Sequence, residues 1–231
     1  VKRSSALELI DLGRDHYTLD EYRDCLVQLG RIAHLFGGFR TTENLLDKIG
    51  HPIRSILDVG CGGGQAAYRL AKRYPGASVV AIDMNPDAID FAKEHYQLPN
   101  LTFEVQLEKR LSGSYDLVHS SLVCHHITCD ELPLFVQEMD RVCTGTIVIN
   151  DLRRSWIAWG LYLLSAPLLF RNRLITHDGL LSIRRSFVRA DWRHLEKASG
   201  LVKRSWRVFA RPLYRWGVLI EQDCSYGAHS P

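Results

Sequence analysis

The segment Ile56-Leu57-Asp58-Val59-Gly60-Cys61-Gly62-Gly63-Gly64 constrains the fold of this 231-residue chain more than any other. A short apolar run that ends in spaced glycines reads as a buried strand turning sharply into a helix. Such a turn presents backbone N–H groups at the carboxyl edge of a sheet, and its glycines let a ligand approach the backbone closely. A second strand, residues 78–82, comes one helix later and is followed by Asp83. A carboxylate at that place can accept both hydroxyls of a ribose. Loop and acid together point to a nucleoside without saying which one.

Spacing excludes two common nucleotide loops. The dinucleotide fingerprint, counted from Gly60, needs glycine at position 65, where Gln65 stands. No G-x-x-x-x-G-K-[ST] phosphate loop occurs. Further strands are expected at 101–105, 115–119 and 146–150, alternating with helices at 65–74, 86–96 and 130–142. That alternation implies parallel pairing with helices on both faces, a doubly wound α/β arrangement.

Two helices precede the first strand. The first covers 18–36, with Thr18 as N-cap and Glu21 at capping-box spacing. Its apolar face is Leu26, Leu29, Ile32, Ala33 and Phe36, and Gly37-Gly38 ends it. The second runs to about residue 49, and both are expected over one end of the sheet. After Asn150 the pattern changes. Residues 156–170 are an apolar run flanked by Arg153, Arg154, Arg171 and Arg173. The run is shorter than the ~18–20 residues a bilayer span needs, and Pro167 interrupts it. A helix at 191–199 and an antiparallel pair, 202–209 with 214–221, close the chain.

ILDVGCGGG, VVAIDMNP, YDLVHSSLVCHHI and EMDRVCTGTIVIND, in that order and spacing, resemble the class I S-adenosylmethionine-dependent methyltransferases over roughly residues 53–150. CLVQLGRIAHLFGGFR and NDLRRSWIAWGL extend the resemblance to small bacterial methyltransferases associated with polyketide-type biosynthesis. The resemblance implies a seven-stranded, mostly parallel, Rossmann-like sheet whose last strand is antiparallel. It implies an N-terminal helical cap over residues 1–50 and a methyltransferase domain over 51–231, with 155–190 as an apolar and basic lid, all in one structural unit. The implied cofactor is S-adenosylmethionine and the product S-adenosylhomocysteine. Carried over by position, Gly60, Cys61, Gly62 and Gly64 line the methionine moiety with Asp58 nearby. Asp83 takes the ribose, Met84 flanks the adenine, and Ser120, Ser121 and Leu122 lie under the sulfonium. Many members place an Asp after the third strand; here Gln106 or Glu108 would stand in for it.

Methyl transfer from a sulfonium is an in-line displacement, so the protein supplies alignment and a handle on the acceptor. The expected acceptor is a hydrophobic small molecule, aromatic or polyketide-like, with O-methylation favoured. Catalytic candidates beyond the strand ends are His126, His177 and Asp151, and substrate-binding candidates are His125, Arg153, Trp156, Trp159 and Arg184. Structural alternatives stand beside them. The His125-His126 pair can pack on the cofactor loop or cap a helix, Asp151 can anchor Arg153 or Arg154, and His177-Asp178-Gly179 can be a turn.

Charge and cysteines bound the partners. Residues 1–150 carry 15 basic and 20 acidic side chains, whereas residues 151–231 carry 14 and 6. The basic half raises RNA or another nucleic acid as an alternative acceptor. Base-methylating enzymes often carry D/N-P-P-Y/F/W after the fourth strand, where Ser120-Ser121-Leu122-Val123 stands, so nucleic acid is not the expected partner. A non-catalytic adenosylmethionine-binding subunit is a further alternative. The apolar run between arginines raises peripheral membrane contact. The six scattered cysteines, with no secretory signal before them, suit reduced thiols in a cytoplasmic protein. Cys124-His125-His126-Ile127-Thr128-Cys129 has metal-binding residue types but no second ligand pair, so no metal is expected. Monomer and homodimer both remain open.

Overall fold

The structure, a computed structural model, describes residues 3–107 and 109–223. Glu108 and Cys224 lie outside the described residues. The helical prelude is α1 (Leu19–Leu35) and α2 (Gly38–Leu46). The core alternation follows as β1 (Ser55–Val59), α3 (Gln65–Arg73), β2 (Ser78–Asp83), α4 (Pro86–His95), β3 (Leu101–Val105), β4 (Tyr115–Ser121), α5 (Leu132–Val142) and β5 (Cys143–Leu152). Then come α6 (Trp156–Leu169), α7 (Arg173–Arg185), α8 (Arg189–Ser199), β6 (Arg204–Arg211) and β7 (Arg215–Gln222).

The seven strands lie in the order β3-β2-β1-β4-β5-β7-β6, and β7 alone runs antiparallel to its neighbours. The chain order reverses between β1 and β4, which opens a crevice at the carboxyl ends of those strands. Register brings the key positions level there: Asp58 lies opposite Ala81 on one side and His119 on the other.

Both faces of the sheet are covered because side chains alternate along each strand. Ile147, Ile149, Val218 and Ile220 pack with Val136 and Met139 of α5 and Trp192 and Leu195 of α8. Val148, Leu219 and Leu117 point the other way, onto Leu45 and Leu46 of α2 and Leu70 of α3. So α2 lies on a face of the sheet, and only α1 sits over its end as the sequence suggested for both. The reason is Gly217, where a side chain would come within 2.9 Å of Leu45. Without one, α2 seats directly on β7.

The N-terminus of α1 carries the expected capping box. Thr18 Oγ1 accepts the Glu21 N–H at 3.2 Å, and the Glu21 carboxylate accepts the Thr18 N–H at 3.0 Å. The apolar run forms α6, fourteen residues long. Among the described residues no helix is long and apolar enough to cross a membrane. The stretch with His177-Asp178-Gly179 is not a turn: it lies in α7, which packs antiparallel-hairpin fashion on α6. Gly179 explains the close fit, since a Cβ there would meet the Tyr162 hydroxyl at 2.3 Å.

Candidate active site

The glycine loop leaves β1 with Gly60, Gly62 and Gly64 all at positive φ, a conformation open to glycine at little cost. The loop is pinned to β2, because the Gly60 and Cys61 N–H groups both donate to the Ile82 carbonyl, at 2.8 and 2.9 Å. Gln65 reaches up to the Leu26 carbonyl at 3.0 Å, which seats α1 over the loop. Asp83 holds the other side of the crevice. Its two oxygens accept the Gly62 N–H at 2.8 Å and the Asn85 N–H at 2.9 Å. Each oxygen keeps a lone pair for a further donor. Burial holds the Asp83 carboxyl above its ordinary range, in spite of those bonds.

Beneath the loop lies a buried polar chain. Asp58 Oδ1 pairs with His119 Nδ1 at 2.6 Å, and His119 Nε2 meets Thr42 Oγ1 at 3.3 Å. Asn150 donates to Thr42 Oγ1 at 3.1 Å and to the Gly38 carbonyl at 2.8 Å. The other Asp58 oxygen, Oδ2, is buried with no partner. At the end of β4, Leu122 adopts φ +61, rare for a branched side chain and held by its N–H bond to the Asn150 carbonyl.

A cavity of about 270 Å³ adjoins this crevice. Its walls are mainly apolar and come from α1 (Leu29, Ile32), α6 (Leu161, Tyr162) and α7 (Leu174, Ile175). Leu122 lines it, while the next residue, Val123, packs on Gly60 of the loop. One end is polar. His125 and His126 have tilted rings 4.2 Å apart and face Glu8, which is 2% exposed. His125 Nδ1 is held by Asp151 at 2.8 Å, and His126 Nδ1 by Asp11 at 2.8 Å. Burial pushes the Glu8 carboxyl up to about 7. Burial acts on Asp151 in the same sense, but the His125 imidazole beside it brings its carboxyl below the ordinary range. Among the described residues, Glu8, His125 and His126 place one donor atom each within 4.8 Å of one another.

Residues 56–145 match the model of a methyltransferase domain. This part of the chain is a methyltransferase domain. An uncharacterized methyltransferase of Synechocystis sp. is 36% identical over 115 residues, 47% of this chain and 52% of that protein. A ubiquinone biosynthesis O-methyltransferase of Bartonella tribocorum is 29% identical over 123 residues, 50% of this chain and 48% of its own length. The chain thus spans about half the length of the curated relatives it matches. Among solved structures, a plantazolicin methyltransferase in complex with a monoazolic desmethylPZN analog and S-adenosylhomocysteine superposes with a TM-score of 0.68. Identity is 16%, with 91% of each chain covered. A SAM-dependent methyltransferase from Aquifex aeolicus gives a TM-score of 0.64 at 18% identity, covering 87% of this chain and 98% of that one. Both show that the fold is shared.

The crevice of the methyltransferase domain fits an adenosylmethionine. Gly62, at φ +51, has nothing within 4 Å of where a Cβ would stand, so the loop faces open space. The orphaned Asp58 Oδ2 suits an ammonium group, and Asp83 suits ribose hydroxyls. Met84, 63% exposed, stands just past Asp83, free to cover a base. Other positions expected around the cofactor do structural work. Ser120 is buried and donates to the Val59 carbonyl at 3.0 Å, and Cys61 is a buried thiol. Ser121, the last residue of β4, pairs in register with Asn150. The Gln106 N–H donates to the Asp83 carbonyl at 2.9 Å, and its side chain to the Arg110 carbonyl at 3.1 Å.

The acceptor side needs several corrections. His125, His126 and Arg153 line the cavity. Asp151 is fully buried behind His125 and anchors that ring, whereas Arg154 pairs with Asp191 at 3.0 Å. Neither histidine caps α5, whose N-cap position is Glu131 and carries no side-chain cap bond. His177 is displaced from the site altogether. Its side chain is 57% exposed and bonds Asp178 at 2.7 Å, because the helical phase of α7 turns it to solvent. Arg184 is exposed for the same reason, and its neighbour Arg185 points inward instead. Trp156 and Trp159 form an edge-to-face pair 5.9 Å apart outside the cavity, since Ala158, Leu161, Tyr162 and Ser165 take the inward face of α6. Sequence reasoning passed over Glu8. Its only signal is a lone acid inside the apolar stretch Ala6-Leu7-Glu8-Leu9-Ile10.

Proposed function

We propose that this chain transfers a methyl group from S-adenosylmethionine to an oxygen of a hydrophobic small molecule held in the apolar cavity. The observation that carries the reading is the shared edge of the two spaces. Leu122 walls the cavity and Val123 backs the glycine loop, so an acceptor in the one lies beside the end of β4 that borders the other. S-adenosylmethionine supplies, when bound, a methyl carbon on a cationic sulfur. Asp83 and Asp58 hold it by its hydroxyl and ammonium groups. The cavity walls exclude water and fix the acceptor's ring or chain. Glu8, His125 and His126 at the polar end receive its hydroxyl. That oxygen gives up its proton to this cluster, and from there to solvent, as it bonds to the methyl carbon, while the C–S electron pair stays on sulfur.

A volume of about 270 Å³ is at the small end of ligand pockets and suits one or two rings. The relatives include O-methyltransferases and a trans-aconitate 2-methyltransferase of Deinococcus radiodurans, which supports a small oxygen acceptor. The test is incubation with methyl-labelled S-adenosylmethionine and a panel of phenols, hydroxyquinones and hydrophobic carboxylic acids. Labelled product in the organic extract, with stoichiometric S-adenosylhomocysteine, is the expected result. Label in RNA instead would shift the acceptor to nucleic acid, and cofactor binding with no turnover would make this a non-catalytic subunit.

A second reading concerns where the protein works. Ile157, Leu164 and Leu168 recur at helical spacing along the side of α6 turned away from the cavity and are 66, 74 and 86% exposed. Such a face, with Trp156 at its start and Arg171 just past its end, suits the interfacial layer of an anionic membrane that also dissolves the acceptor. Co-sedimentation with anionic vesicles, lost in Leu164→Asp, is expected. A dimer by light scattering with no vesicle binding would give the face to a second copy.

A further inference from the structure

The polar end of the cavity has the arrangement of a cation site. Glu8 Oε1 lies 3.9 Å from His125 Nε2, and Glu8 Oε2 lies 3.9 Å from His126 Nε2. Both separations are too long for hydrogen bonds. The three groups converge on one point without bonding each other. Glu8 Oε1 is buried and has no hydrogen-bond partner, in a side chain that is 3% exposed. Leaving a carboxylate so placed is costly unless something positive meets it.

Both imidazoles are aimed by the same device. Asp151 takes the Nδ1 proton of His125 and Asp11 that of His126, each at 2.8 Å, so both Nε2 lone pairs point at Glu8. A carboxylate behind each ligating histidine is the usual support of a metal ligand, fixing tautomer and ring orientation. Asp178 fixes the third donor, accepting the Leu9 and Ile10 N–H groups at 2.9 and 3.1 Å, directly after Glu8. The surrounding charge agrees. The four acids Glu8, Asp11, Asp151 and Asp178 outnumber the cations beside them: Arg185, whose guanidinium is 4.0 Å from Glu8 Oε1, pairs with Asp11 at 3.1 Å and donates to the carbonyls of His125, His126 and Ala6, and the buried Arg215 faces Asp151.

We propose that Glu8, His125 and His126 bind a divalent transition metal of the Zn²⁺ class. Two imidazole nitrogens and one carboxylate are a donor set such ions accept, with a position left open for an exogenous oxygen. Tetrahedral zinc ligands sit roughly 3.4 Å apart, so each 3.9 Å gap needs only a small side-chain rotation to close. The open position faces the cavity. Resting on the methyl-transfer reading, this makes the acceptor a molecule that offers a ligating oxygen, a phenol, enol or carboxylate, whose proton the cation makes easier to lose.

The test is a titration of the chelator-treated full chain with Zn²⁺ against a chromogenic competitor, with Co²⁺ absorption as a second readout. We expect one tight equivalent per chain, lost in Glu8→Gln and His126→Ala, and weakened about 10–100-fold in Asp11→Asn. S-adenosylhomocysteine binding, measured on every sample, reports that each variant is folded. Zinc binding no tighter in wild type than in Glu8→Gln and His126→Ala, with S-adenosylhomocysteine bound by all three, would overturn the proposal. If Glu8→Gln does not fold, wild type decides alone: a Co²⁺ spectrum indistinguishable from the aqueous ion overturns it equally. Tight zinc without S-adenosylhomocysteine binding would leave the cation site standing and defeat the cofactor reading.

Discussion

Asp83→Ala separates binding from stability at the center of the nucleoside site. In the wild type each carboxylate oxygen already accepts one backbone N–H, from Gly62 or Asn85, and offers its remaining lone pair to a ribose hydroxyl. A hydrogen bond to a charged group contributes about 1.5–3 kcal/mol. Losing two therefore costs about 3–6 kcal/mol, or roughly 10²–10⁴-fold in Kd. Folding responds differently. Burial raises the Asp83 carboxyl above its ordinary range, so at neutral pH its charge opposes folding, and removing it relieves that penalty. The Gly62 and Asn85 N–H groups released by the change can be met by water, since the space beside Gly62 is open. The expectation is an unfolding temperature at or above that of wild type, with calorimetric affinity for S-adenosylhomocysteine down at least a hundredfold. Asp83→Asn should fare no better, because its amide can offer an oxygen to only one of the two N–H groups. A folded Asp83→Ala variant whose Kd stays within about threefold of wild type would refute the ribose role.

Other substitutions probe neighbouring parts of the argument. Gly60→Ala places a Cβ 2.4 Å from Val123 at φ +72 and should cost about 2–5 kcal/mol in urea denaturation. Gly62→Ala meets no neighbour, so about 1 kcal/mol of stability and a much larger share of S-adenosylhomocysteine affinity should be lost. His177→Ala, at an exposed position on α7, should leave turnover and stability unchanged; a large drop in kcat would return that residue to the site. Asp116 accepts the Arg54 and Ser55 N–H groups, and the first of these bonds is the main cause of its carboxyl lying below the usual 3.8. Its stabilisation is complete above that value and lost as pH falls through the lowered one, so Asp116→Asn should flatten the acid limb of the stability curve.

The nucleoside half of the site is legible in the sequence because its determinants are local. A strand, a glycine turn and an acid at the next strand's end fix the crevice within about thirty consecutive residues, and parallel register does the rest. Strand ends are less legible. β5 extends through Asp151 and Leu152, polar or peripheral residues that read as loop but still pair with Trp216 and Arg215. Helix α7 is hidden for a similar reason. His-Asp-Gly has turn chemistry, and only the packing of Gly179 under Tyr162 overrides it.

The acceptor half is less legible because its polar end is assembled from three distant segments, only one of which marks itself. His125 and His126 stand out as a pair, but their roles depend on carboxylates that no spacing rule connects to them, Asp151 on the next strand and Asp11 near the start of the chain. The misplacement of His177 is instructive here. Its neighbour Asp178, read as part of a turn, holds the Leu9 and Ile10 amides and so carries Glu8 into the cavity. The acid at the polar end is thus held in place by the helix on which His177, the expected catalytic residue, faces solvent. Through those two bonds α7 and the segment that bears Glu8 are joined at the wall of the cavity, which is why the polar end depends on residues so far apart in the chain.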